Sequence, residues 1–102
     1  DIARAYWIYD VPGGEIRGGH AYKTLQEVII ALSGSFDVML NDGKEEKKIS
    51  LNRSYTGLYV PKMIWRHLEN FSTNSLALIV ADKAYDEEEY FRNFEEFKTL
   101  KK

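Results

Sequence analysis

The chain has no cysteine among its 102 residues. Disulfide frameworks, thiolate chemistry and cysteine-based zinc sites are therefore excluded. An excess of basic residues is missing as well. The formal net charge is -2 and the pI about 5.7, whereas a nucleic-acid module normally carries a basic face. The longest apolar runs, residues 28–32 and 76–81, fall far short of the ~20 residues that cross a bilayer. No signal-peptide pattern is visible, so the expected location is the cytoplasm, with neither nucleic acid nor membrane as a partner. Repeats, low-complexity tracts and linkers are also absent. A chain of this length supports one core, and a single domain over residues 1–102 is expected. It starts at Asp1 rather than methionine, and a short N-terminal segment is expected to be missing.

Aromatic residues are plentiful, at 14% with seven tyrosines. They lie in short runs bounded by turn residues, a pattern that predicts strands. Strands are expected over residues 5–9, 20–23, 27–32, 36–40, 45–51, 57–60, 65–71 and 76–81. The run 36–40 alternates with period two, and Asn41-Asp42-Gly43 supplies a hairpin turn after it. Beyond Asp82 the pattern changes. Asp86 is a helix cap followed by Glu87, Glu88 and Glu89 in the first turn. Tyr90, Phe91, Phe94 and Phe97 recur at helical spacing. An amphipathic helix over residues 86–100 is expected, packed on the sheet or against a second copy. Short strands in this number predict a sandwich or barrel, which leaves few exposed edges.

Only two histidines are present. His20 sits in Gly14-x5-His20-x-Tyr22-x4-Glu27-x6-Gly34, the spacing of the first cupin motif with tyrosine in place of its second histidine. The second cupin motif runs around Pro61 and Asn70, and its histidine position falls on Arg66. His67 is one residue away and therefore on the opposite face of a strand. The cupin metal set would become His20, Tyr22, Glu27 and Arg66. Arginine is always charged and has no lone pair to offer, and its cation repels a divalent ion. No metal site is expected.

The resemblance is closer than to cupins in general. Arg4-Ala5-Tyr6-Trp7-Ile8-Tyr9-Asp10 carries it, with Gly57-Leu58-Tyr59-Val60-Pro61, Trp65, and Tyr85 to Arg92 with Phe97. So does Arg17-Gly18-Gly19-His20-Ala21-Tyr22-Lys23, which matches R-G-x-H-A-H-K except at Tyr22. Together they make the chain similar to the WxcM-like sugar-nucleotide 3,4-ketoisomerases. The resemblance implies an all-β cupin, a double-stranded β-helix (jelly roll) with a C-terminal amphipathic helix. It also implies a metal-independent isomerase without cofactor, usually a homodimer. Its substrate would be a dTDP-linked 4-keto-6-deoxyhexose, whose ketone moves from C4 to C3 through an enediol in deoxysugar and polysaccharide biosynthesis. His20 takes the place of the base, and Tyr22 and Arg66 that of donors to the developing oxyanion. Arg17, Lys23, Tyr9 and Glu27 are the candidate substrate contacts. Bland alternatives stand beside these roles: surface charges for Arg17 and Lys23, core packing for Tyr22, and an ion pair of Arg66 with Glu27 or Glu69. The rival function is a sugar-nucleotide-binding cupin domain without isomerase chemistry, part of a larger fusion.

Overall fold

A computed structural model describes residues 2–101. Eight strands run in chain order: β1 (Arg4–Tyr9), β2 (Arg17–Tyr22), β3 (Glu27–Ser33), β4 (Phe36–Asn41), β5 (Glu46–Leu51), β6 (Gly57–Val60), β7 (Trp65–Glu69) and β8 (Leu76–Ala81). A ninth, β9 (Tyr90–Phe91), and a helix, α1 (Phe94–Lys101), follow. The strands form a four-stranded sheet, β1-β8-β3-β6, facing a five-stranded sheet, β5-β4-β7-β2-β9. All pairings are antiparallel. This is the expected jelly-roll barrel.

The alternation along each strand sorts the interior into two ends. Ile29 and Ala31 of β3, Ala77 and Ile79 of β8, Phe36 and Val38 of β4 and Leu68 of β7 form the apolar core. One step along the same inward rows, Glu27 precedes Ile29 and Arg66 precedes Leu68, both fully buried. His20 and Tyr22 of β2 join them. Apolar packing thus closes one end, and chemistry-bearing side chains occupy the other. The β4–β5 hairpin turns where predicted: Asn41 Oδ1 accepts from the Gly43 amide at 2.7 Å, and Gly43 takes φ 100°, which a side chain resists.

The C-terminal region departs from expectation. Asp86 does act as a cap, accepting from the Glu88 amide at 3.0 Å, but the turn it starts lasts only through Glu87–Glu89. Tyr90 and Phe91 then leave helical geometry to pair with Tyr22 and Ala21 of β2. The helix restarts at Phe94 because Asn93 is a second cap, with Oδ1 accepting from the Glu96 amide at 3.1 Å. Tyr90 and Phe91 consequently face opposite ways. Phe91 joins Phe94, Phe97 and Trp65 on the outer face of the five-stranded sheet, where α1 docks. Tyr90 turns toward His20 and Tyr22.

Candidate functional site

The site begins with a bulge. Arg17 pairs with Leu68 and His20 with Arg66, so β2 spends one more residue than β7 over this interval. The irregularity falls on Gly18, which takes φ 71°. Its carbonyl accepts from Arg66 Nη1 at 3.0 Å, and a Cβ built there would stand 2.1 Å from that same nitrogen. Glycine is therefore required on both counts. The bulge also resets the alternation, putting Arg17 and His20 on one face of the strand.

Arg66 is wholly buried and surrounded by acceptors. Nε donates to Glu27 Oε1 at 2.6 Å and Nη2 to Glu27 Oε2 at 3.2 Å, a two-point pairing of fork and carboxylate. Nη2 also donates to the Tyr6 hydroxyl at 2.9 Å. Burial works against the guanidinium, but the Glu27 carboxylate together with the Tyr6 and Tyr22 hydroxyls outweighs it and the Arg66 pKa rises. Both Glu27 oxygens are committed to this cation. Glu27, expected as a substrate contact, is instead the counter-ion that keeps Arg66 in place.

Beside the ion pair stand His20 and Tyr22, with His20 Nε2 2.8 Å from the Tyr22 hydroxyl. Tyr90 lies edge-on to both rings at 4.9 Å. Burial, followed by the charges of Arg66, Arg92 and Arg4, lowers the His20 pKa to about 2. The imidazole is neutral at physiological pH, the form that accepts a proton. Burial, with the Glu27 carboxylate next, raises the Tyr22 pKa, so its proton stays on. A neutral acceptor and a protonated hydroxyl thus share one spot, where a carbon acid and its carbonyl oxygen can be met together.

The structure brings His20, Tyr22, Glu27 and Arg66 together and leaves other candidates outside. Tyr9 is on the exposed face of β1, opposite Tyr6. Lys23 is exposed, with its ammonium 5.6 Å from the centre of the Phe91 ring on the outer face. Arg17 shares the face of His20 but is half-exposed, 3.7 Å from Glu15. His67 points away from Arg66 and lies 2.8 Å from Glu69. Three residues enter the site that had not been assigned to it: Tyr6, Tyr90 and Arg4, whose Nη1 donates to the Tyr90 hydroxyl at 2.9 Å. Tyr90 had been absorbed into the expected helix, and the Asn93-x-x-Glu96 capping box was the signal for a later start.

Many cupins hold a metal among such residues, but the donors here do not fit one. Among the described residues no group of three or more His, Asp or Glu side chains is placed to bind an ion. A cation, Arg66, already holds the Glu27 carboxylate.

A small jelly-roll barrel with a histidine–tyrosine pair and a buried arginine–glutamate pair inside it is a cupin whose polar interior is built for proton chemistry. The chain belongs to the FdtA family (WxcM-like, C-terminal), which matches over residues 1–102. It is 39% identical over 97 residues to the TDP-4-oxo-6-deoxy-alpha-D-glucose-3,4-oxoisomerase of Aneurinibacillus thermoaerophilus, covering 95% of this chain and 70% of that protein. The structure of the TDP-quinovose 3,4-ketoisomerase WlaRB of Campylobacter jejuni superposes with a TM-score of 0.90 at 45% identity, covering 97% of this chain and 76% of that one. A mutant of the 3,4-ketoisomerase QdtA of Thermoanaerobacterium thermosaccharolyticum, in complex with TDP-4-keto-6-deoxyglucose, gives 0.96 at 36% identity, covering 98% and 72%.

A neutral buried histidine has a cost in acid. Below the ordinary value of 6.5 the unfolded chain takes up a proton at His20 that the folded chain refuses until about pH 2. Stability is therefore complete above that window and falls as the pH drops into it, by up to about 1.4 kcal/mol per pH unit. Urea unfolding between pH 7 and 5 should show this slope, and His20→Asn should flatten it.

Proposed function

We propose that the chain is a metal-independent 3,4-ketoisomerase acting on a dTDP-linked 4-keto-6-deoxyhexose. The observation that carries the proposal is the 2.8 Å pair of His20 and Tyr22 inside a barrel of this family. Its relatives are named 3,4-ketoisomerases at 39% and 45% identity. The proton on C3 is acidic because it adjoins the C4 carbonyl. His20 removes it, and the C–H electrons form the C3–C4 double bond as the carbonyl electrons move to O4. Tyr22 gives its proton to O4, completing the enediol. Tyr22 then regains a proton from O3 while the imidazolium returns its own to C4, leaving the ketone at C3. His20 thus moves the carbon proton and Tyr22 the hydroxyl proton, with no net change in either.

Arg66 has no direct part in these transfers. Its buried charge helps to keep His20 neutral and ready to accept. Arg17, on the face of His20 and half-exposed, suits a diphosphate contact at the rim. With no cysteine to require an oxidising compartment and no helix among the described residues long and apolar enough to cross a membrane, the proposed location is the cytoplasm.

Incubation with TDP-4-keto-6-deoxyglucose should yield the 3-keto sugar by NMR. His20→Asn should lower turnover by about 10²-fold or more while the fold is retained. Binding of the nucleotide sugar with no 3-keto product would replace the isomerase with a binding domain.

The proposed assembly is a homodimer through the outer face of the four-stranded sheet. The register lines up Ala5, Val80, Val28 and Tyr59 in one row and Trp7, Leu78 and Ile30 in the next. Trp7 and Tyr59 are each 53% exposed in this continuous apolar face. A second copy meets it with the same surface, the self-complementary geometry of a twofold contact. Sedimentation at micromolar concentration should give twice the chain mass, and Trp7→Glu should give the monomer. A wild-type protein that sediments as a monomer would exclude the dimer.

A further inference from the structure

Arg4, Tyr6 and Ile8 make the inward row of β1. Ile8 packs on the apolar core and Tyr6 bonds to Arg66, which leaves Arg4 at the polar end. From there Arg4 Nη1 donates to the Tyr90 hydroxyl at 2.9 Å. Strand β1 belongs to the four-stranded sheet and β9 to the five-stranded one, so this bond spans the barrel. The Tyr90 side chain therefore points its hydroxyl across the interior, toward the facing sheet.

Tyr90 is also a direct neighbour of the residues assigned to proton transfer. It stands opposite Tyr22 in the β2–β9 ladder, and opposite residues present their side chains on the same face. Its ring meets those of His20 and Tyr22 edge-on at 4.9 Å each. Arg92, itself 2.6 Å from Glu87, lies 4.1 Å from the ring centre. Arg4 is steadied in turn, 4.5 Å from the centre of the Tyr6 ring and 5.1 Å from that of Tyr85. Tyr90 is thus held at its oxygen and at its ring, as a preorganised donor must be.

A guanidinium has only donors, so the Tyr90 oxygen accepts from Arg4. Among the described residues that is the hydroxyl's single hydrogen bond, and its own hydrogen is not spent. A hydroxyl that accepts from a cation is polarised toward stronger donation. We propose that Tyr90 is a catalytic residue that donates this hydrogen to the C4 carbonyl oxygen of the sugar, with Arg4 as the positioning residue that aims it. The role rests on the isomerase reading above. A carbonyl oxygen has two lone pairs. Tyr22 takes one and gives up its proton there, whereas Tyr90 takes the other and keeps its own. Both bonds strengthen as the C–H electrons pass toward the oxygen, so they lower the barrier rather than merely hold the sugar.

Tyr90→Phe keeps the ring and removes only the hydroxyl. With TDP-4-keto-6-deoxyglucose it should lower kcat by about 10²-fold, the scale of one lost oxyanion donor, and leave KM little changed. Arg4→Met should lower kcat with the same small effect on KM, and Arg4→Lys, which keeps a cationic donor, should retain most of the turnover. A second readout needs no turnover: the carbon-13 signal of the same sugar labelled at C4 and bound to the His20→Asn protein. Hydrogen bonds polarise a carbonyl and move this signal downfield, so adding Tyr90→Phe should move it back upfield. An unmoved signal would overturn the proposal whatever happened to turnover. So would a Tyr90→Phe protein that isomerises the sugar at the wild-type kcat. If wild type does not isomerise and the signal still moves, the Tyr90 contact stands and the isomerase reading alone fails.

Discussion

Arg66 and Glu27 form an ion pair with no exposure to solvent on either side chain, and the polar half of the barrel is arranged around it. A buried guanidinium must have its donors met, and the neighbouring elements meet them. Glu27 of β3 supplies the charge, Tyr6 of β1 a hydroxyl, and the β2 bulge a carbonyl at Gly18. That last contact is close enough to exclude any side chain at residue 18. The ion pair thus dictates where β2 bulges, and the bulge decides which residues of β2 face inward.

The same pair sets the chemistry. A cation at position 66 takes up the carboxylate that a metal-binding cupin offers its ion. It also opposes a second positive charge on His20, whose buried ring stays neutral. The site therefore moves protons by means of a histidine and a phenol. Its charged groups are held one layer further back, where Arg66, Arg4 and Arg92 act through the field they create.

Much of this was legible from residue order. Short aromatic and β-branched runs between turns located all eight main strands. The cupin motif marked position 66 as an inward site position, and His67 then faces outward, because adjacent strand residues face opposite ways. Less legible was whatever depended on contacts distant in sequence. Glu27 matched a site motif, but its partner 39 residues away decides that it serves Arg66. Arg17 and His20 differ by an odd number of positions, and only the bulge lets them share a face. Tyr90 and Phe91 fit helical spacing as well as any residues in the chain, yet pairing with β2 draws them into a ladder. Their opposite orientations supply the site with Tyr90 and the α1 contact with Phe91. Tyr9 and Lys23 belonged to matching segments, but β1 turns Tyr9 outward and Lys23 stands exposed in the bend just past β2.

The dependence on the ion pair is open to direct measurement by a double-mutant cycle in urea. Removing one partner strands the other as an uncompensated buried charge, so Glu27→Gln and Arg66→Met should each cost about 3–5 kcal/mol. With both replaced, no buried charge remains, and the loss should be far smaller than the sum of the two. Single losses below about 1 kcal/mol that simply add would show two independent side chains, and would contradict an interior organised around their pairing.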